Sequence, residues 1–381
     1  MTLQRVLVLA PTRRAASETF VRANLAGLPF ATTAYFGDER PLGQPWRLVY
    51  GVAVLMSKVL TRLGWLRLAG WPAAVVTKLL VRRHQPDLLL VEFGFHALRV
   101  MEAAAEGQIP LVVHFRGSDL SAWTKFGAQK TRYRRLMRIA SGAIVKSQPM
   151  RQTLLDLGME SERILISASG ANAQLFHSSV PGSAPPVFLA VGRFVDKKGP
   201  LYTIRAFAQL VGQHPRTDLA LWMVGEGPLQ QQAKALVREL GLESVVRFWG
   251  AQPQQKVAAL MREARGFVQH SVVAPDGDSE GNPVALMEAQ LSGLPVVATR
   301  HAGIPEVVRH GESGWLVAEA DVAGMAAGLQ RLVEDPGLAQ RWGEAGRRRI
   351  QERFTIDHHL RDVAQFLRGI SPRSRFQTSD R

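Results

Sequence analysis

A chain of 381 residues is long enough for about two domains, each with its own core. Hydrophobic residues at 46% and charged residues at 21% exclude a disordered polymer, and the absence of cysteine excludes disulfides and thiolate metal sites. The formal net charge of +15 points to anionic partners, with a membrane surface and a nucleic acid as rivals.

In chain order, the apolar run at 6–10 reads as a first strand and not as a secretory signal, since the charged start and small-residue cleavage site are missing. From 41 to 86 there is no Asp or Glu, yet Arg47, Lys58, Arg62, Arg67, Lys78, Arg82 and Arg83 all fall there. Leu55, Val59, Leu63 and Leu66 recur at helical spacing, with Lys58 and Arg62 on another face and Trp46, Trp65 and Trp71 interleaved. Two readings fit equally: a basic amphipathic helix on an anionic membrane, or a core-facing helix with a solvated basic side. Arg67 interrupts the best candidate for a membrane span, so a cytoplasmic location is expected. Further strands are expected at 88–91, 111–115 and 142–146. Lys125, Lys130, Arg132, Arg134, Arg135 and Arg138 form a second basic cluster between the last two.

The breaker-rich stretch ending at Pro186 reads as a linker. Strands then resume at 187–191, 219–224, 245–249, 266–269 and 295–298. Strands alternating with helical patterns give an α/β class with two doubly wound, Rossmann-like domains facing a cleft, and ligands at the C-terminal ends of the strands. The expected bounds are 1–178, a linker at 179–186, 187–355, a helix at 356–370 returning to the first domain, and a disordered tail at 371–381.

The residues suited to chemistry cluster in the second half. Gly192 and Gly199 bracket a loop with Arg193, Lys197 and Lys198 after a strand, which suits a leaving diphosphate. Gly225-Glu226-Gly227-Pro228 makes a tight turn after the next strand. In Glu280-Gly281-Asn282-Pro283, Pro283 suits the first helical position, and the free N–H groups of Gly281 and Asn282 meet the positive helix end. Glu280 and Glu288 flank that end and can accept hydrogen bonds from hydroxyls, a layout that matches a nucleotide-sugar. Gly303 and Ile304 follow another strand and are expected to bring backbone N–H groups to the same place. In the first half, His114 can donate to a sugar hydroxyl, and Asp119 can cap a helix or accept a proton.

These motifs, in this order and spacing, resemble the nucleotide-sugar domain of the retaining GT-B glycosyltransferases of family 4 (group 1). The stretch from Pro275 to Gly281 resembles the colanic-acid and amylovoran exopolysaccharide transferases. Ser17-Glu18-Thr19-Phe20 and the stretch from His114 to Asp119 point the same way more loosely. The resemblance implies that Arg193, Lys198, Gly281, Asn282 and Pro283 hold the donor diphosphate, and that Glu288 binds the ribose. Gly225, Glu226, Gly303 and Ile304 would form donor-site loops. Glu280 and His114 would be catalytic, His114 reaching the transferred sugar from the opposite domain. Glu92, Arg116 and Asp119 are the acceptor-side candidates. Arg116 stands where the family subset often has histidine.

The expected activity is therefore transfer, with retention, of a sugar from a UDP- or GDP-sugar to a lipid-linked or other saccharide acceptor. No cofactor or metal is expected, and the enzyme would sit peripherally on the inner face of the plasma membrane. The rivals are a GT-B epimerase that releases free sugar and a basic membrane- or nucleic-acid-binding protein. A nucleic-acid partner is disfavoured because no recognition motif accompanies the charge.

Overall fold

The structure, a computed structural model, describes residues 5–12, 19–39, 45–122, 127–214 and 217–370. Ser17, Glu18, Lys125 and the tail 371–381 lie outside the described residues. By its internal contacts the chain forms two units, one holding residues up to Ser167 and from His359 onward, the other Ala168–His358.

The first unit is built on a six-stranded parallel sheet: β1 (Arg5–Ala10), β2 (Ala31–Phe36), β3 (Leu88–Glu92), β4 (Leu111–His114), β5 (Gly142–Val145) and β6 (Ile164–Ile166). Their order across the sheet is β2-β1-β3-β4-β5-β6. Alternate residues of each strand enter opposite cores, because strand side chains alternate in direction. Leu7, Leu89, Val91, Val113 and Val145 face one core, while Val8, Leu88, Leu90, Val112 and Ile144 face the other. The second core is closed by Val363, Ala364 and Leu367 of the last helix, Ile356–Gly369.

The second unit repeats the plan with β7 (Val187–Val191), β8 (Ala220–Val224), β9 (Val246–Gly250), β10 (Gly266–Gln269), β11 (Val296–Thr299) and β12 (Gly314–Val317). All pairs are parallel, in the order β12-β11-β10-β7-β8-β9. The central strands β10 and β11 are buried on both faces, which explains their near-continuous apolar runs, while the edge strand β9 is only partly buried. The order reverses between β7 and β10, and such a switch point opens a crevice at the carboxyl ends of the strands.

The strands absent from the sequence reading, β2, β6 and β12, each lie at a sheet edge and are short or partly polar. The segment expected as a linker at 179–186 packs within the second unit. The Ser179 hydroxyl donates to the Met261 carbonyl at 2.8 Å, and Arg265 Nε donates to the Ala184 carbonyl at 3.0 Å.

The helix Pro45–Arg62 buries Tyr50, Ala53, Val54 and Ser57, not the stripe of Leu55, Val59 and Leu63, which is exposed. The helix therefore faces the core, but through residues other than that stripe, of which Leu66 alone is half-buried. Among the described residues, no helix is long and apolar enough to cross a membrane.

Candidate active site

The second unit's site is built at the switch point between β7 and β10. After β7 the chain is held against the β8 loop: Phe194 N–H donates to the Glu226 carbonyl, and Leu229 N–H to the Phe194 carbonyl, both at 3.0 Å. Gly225 (φ +131°) makes this possible, since a Cβ there would lie 2.0 Å from the Gly192 carbonyl oxygen. Glu226 turns aside and accepts the Ala251 N–H at 3.3 Å. Gly199 (φ +53°) presses on the end of β10, where a Cβ would lie 1.9 Å from the His270 carbonyl oxygen.

Three cations were expected to present themselves together in this loop, and the structure gives them three different states. Lys197 is buried and donates to Asp278 Oδ1 at 3.0 Å and to the Ser279 carbonyl at 3.2 Å, so it clamps the loop carrying Glu280. Lys198 Nζ lies 3.0 Å from Glu280 Oε1. Arg193 is exposed and has no ion pair among the described residues. Burial pushes the Glu280 carboxyl upward, but the ammonium groups of Lys198 and Lys197 outweigh it and hold the group below the usual range.

A residue that sequence reasoning did not assign completes this loop. His301 Nε2 accepts the Glu280 N–H at 3.0 Å, while its Nδ1 lies 2.6 Å from Glu319 Oε1. With Nε2 accepting from the amide, Nδ1 is the nitrogen that donates to Glu319. Glu319 Oε2 in turn accepts the Val273 N–H at 2.8 Å. The only advance signal was the position of His301 just after a strand end.

Pro283 is not the first helical residue. Its ψ of 117° is extended, and the helix begins one residue later, as Val284–Ser292. The Asn282 amide is buried, and neither its nitrogen nor its oxygen has a hydrogen-bond partner among the described residues. The first-turn N–H groups of the helix have no intrahelical acceptors, which makes its start a donor-rich end beside the Asn282 amide. Glu288 is buried on the same helix and accepts one hydrogen bond, from Gln254 Nε2 at 3.2 Å. Burial raises its carboxyl to about 7, and Gln254 only partly offsets this. Ile304 departs from expectation: its N–H donates to the His301 carbonyl at 3.0 Å, and its side chain is fully buried, whereas Gly303 caps the short helix Ile304–Val307.

In the first unit, His114 ends β4 and is fully buried. Burial and the neighbouring Arg116 and Lys146 charges push it well below the usual imidazole range, and its Nε2 has no partner among the described residues. Glu92 and Arg116, both expected to face an acceptor, are paired with each other. Arg116 Nε and NH2 donate to Glu92 Oε2 at 2.9 and 2.5 Å, and Asn24 Nδ2 donates to Oε1 at 3.2 Å. Asp119 collects the N–H groups of Gly94, Arg116 and Gly117 at 2.8–2.9 Å, which fixes the strand-end loops.

Comparison with known proteins places both halves. The sequence model described as Glycosyltransferase Family 4 matches residues 28–174, and that described as Glycosyl transferases group 1 matches residues 173–349. The chain is 30% identical over 369 residues to the amylovoran biosynthesis glycosyltransferase AmsK of Erwinia amylovora, covering 92% of this chain and 88% of that one. It is 34% identical over 291 residues to WcaL of Salmonella typhimurium, named for colanic acid biosynthesis, covering 74% of this chain and 71% of that one. Among solved structures, Anabaena HepE in complex with UDP superposes with a TM-score of 0.74 at 19% identity, over 96% of this chain and 99% of that one.

Proposed function

The chain belongs to the group 1 glycosyltransferases, and from that premise we propose that it transfers a sugar, with retention, from a UDP- or GDP-sugar to a lipid-linked saccharide in exopolysaccharide or cell-surface glycan synthesis. The observation that carries the donor assignment is the convergence at one switch point of Arg193, Lys198, the start of the helix Val284–Ser292, and two buried carboxylates. Arg193 and Lys198 would take the charge that grows on the diphosphate as the glycosidic C–O bond breaks, aided by the helix dipole. These groups do the electrostatic work that a metal ion does elsewhere. Glu288 would accept the ribose hydroxyls, and Glu280, held by Lys198 and His301, a hydroxyl of the transferred sugar. For His114 we keep the sugar contact implied by the resemblance, with Nε2 as the atom available to it.

HepE, crystallised with UDP and with UDP-glucose, supports a uridine donor as the first to try. AmsK and WcaL support an exopolysaccharide product. A lipid-linked acceptor would draw the enzyme to the inner face of the plasma membrane.

The test is a panel of UDP- and GDP-sugars screened by thermal shift, followed by NMR of the product anomer. Stabilisation by one donor, lost in Arg193→Ala/Lys198→Ala, and a retained anomer are expected. No stabilisation by any donor, an inverted product, or free sugar as the sole product would overturn the reading.

A further inference from the structure

The first unit exposes an apolar surface that its own core does not use. All but three of the large apolar side chains exposed among the described residues lie within 48–79, the exceptions being Val180, Leu240 and Val273. Leu55 is 59% exposed, Leu63 60%, Trp65 59% and Trp71 66%, from the helix Pro45–Arg62, the turn after it and the start of the helix Trp71–His84. A surface helix of a soluble domain places polar side chains opposite its core face. Here the core face is Tyr50, Ala53, Val54 and Ser57, and the opposite side is apolar again.

The charge around this surface has one sign. Residues 45–86 contain no carboxylate. Lys58 and Lys78 are neutralised from outside the segment, by Asp38 and Glu106. Arg47, Arg62, Arg67 and Arg82 are exposed, with no ion pair or hydrogen bond among the described residues. We infer that this face docks on an anionic phospholipid bilayer. The apolar side chains enter the acyl boundary, Trp65 and Trp71 lie at headgroup level, and the free arginines meet lipid phosphates.

A second copy of the chain is a poorer occupant. A two-fold interface sets a patch against itself, which would bring two arginine-bearing faces together with no carboxylate from either 45–86 segment to pair them. The docking face names the surface behind the membrane-bound reading given above, and it shares no residue with the donor site.

The test uses the full chain and co-sedimentation with vesicles of equal parts phosphatidylglycerol and phosphatidylcholine, against vesicles of phosphatidylcholine alone. Arg62→Gln/Arg67→Gln should weaken binding to the anionic vesicles roughly 30-fold at low salt and leave the weak binding to neutral ones unchanged. Leu55→Gln/Leu63→Gln/Trp71→Gln should abolish binding to both. These side chains are exposed, so unchanged thermal melts are expected and confirm the fold. Wild-type protein left in the supernatant, or polar variants that sediment like wild type, would overturn the inference. So would a wild-type dimer in sedimentation velocity that the triple variant turns into a monomer. Donor-induced thermal shifts should persist in every variant; their absence alongside intact vesicle binding would count against the donor assignment and leave the docking face standing.

Discussion

Glu92 and Glu288 are both buried carboxylates, one at the end of β3 in the first unit and one on the helix Val284–Ser292 in the second. Their surroundings push them in opposite directions. Burial raises the Glu92 carboxyl, but the Arg116 guanidinium and then His114 outweigh it and hold the group well below the usual range. Glu288 has burial and a single amide donor, and it rises to about 7. A buried charge that is fully paired specifies structure, whereas one left with spare acceptor capacity is destabilising until a ligand supplies donors. The first unit therefore pairs Glu92 with Arg116 and leaves His114 Nε2 open, whereas the second leaves Glu288 with one donor and the Asn282 amide with none among the described residues.

The largest effect that would sharpen this contrast comes from Glu92→Gln, which leaves the Arg116 guanidinium buried without its counter-ion. The first unit should lose about 3–5 kcal/mol, read from its transition in urea. A loss under about 1 kcal/mol would break the contrast. Next, Lys198→Ala should lower kcat by roughly 10²–10³-fold, or about 3–4 kcal/mol, in protein that still folds cooperatively but melts lower because Glu280 loses its ion-pair partner. A variant that turns over normally would remove Lys198 from the donor site.

Glu288→Gln tests the other side of the comparison. The folded Glu288 carboxyl titrates at about 7, above its ordinary 4.5. Below 4.5 it is neutral in both folded and unfolded chains and has no destabilising effect. As pH rises through 7 the folded chain must ionise a buried group, and stability present in acid is lost. The ligand-free glutamine variant should therefore gain up to about 3 kcal/mol over wild type at pH 8 and almost nothing near pH 4. Equal stability at pH 8 would show that the carboxylate is already satisfied. The smallest effect concerns ligand affinity: ribose hydroxyls prefer the ionised carboxylate, so UDP should bind wild type about tenfold more weakly at pH 6 than at pH 8. Calorimetry should show this slope to be absent in Glu288→Gln. The same slope in both proteins would assign it to the nucleotide.

Much of the site was legible because strand ends are legible. Apolar runs buried on both faces stand out, and Arg193, Lys198, Gly225 and Gly303 follow them directly. Glu280 and Glu288 were visible through the proline expected to open the helix Val284–Ser292, although Pro283 itself stays outside it. His301, Glu319 and Gln254 were not assigned, because each acts on a residue far along the chain. The first unit's candidates were less legible still. Nothing in the spacing of Glu92 and Arg116 shows that β3 and β4 lie side by side, where the two charges meet.

The amino-acid sequence determined that there would be two parallel sheets and that cations, glycines and glutamates would gather at strand ends. Those features follow from local periodicity and from the φ angles that proline and glycine favour. Only the tertiary structure decided which charge meets which. Lys197 and Lys198 are neighbours in the chain, yet one is locked onto Asp278 and the other lies against Glu280. It also decided that the Leu55, Val59 and Leu63 stripe faces outward, because the core face was already filled by Tyr50, Ala53, Val54 and Ser57. A pattern states that a stripe is apolar, and only packing states what lies against it.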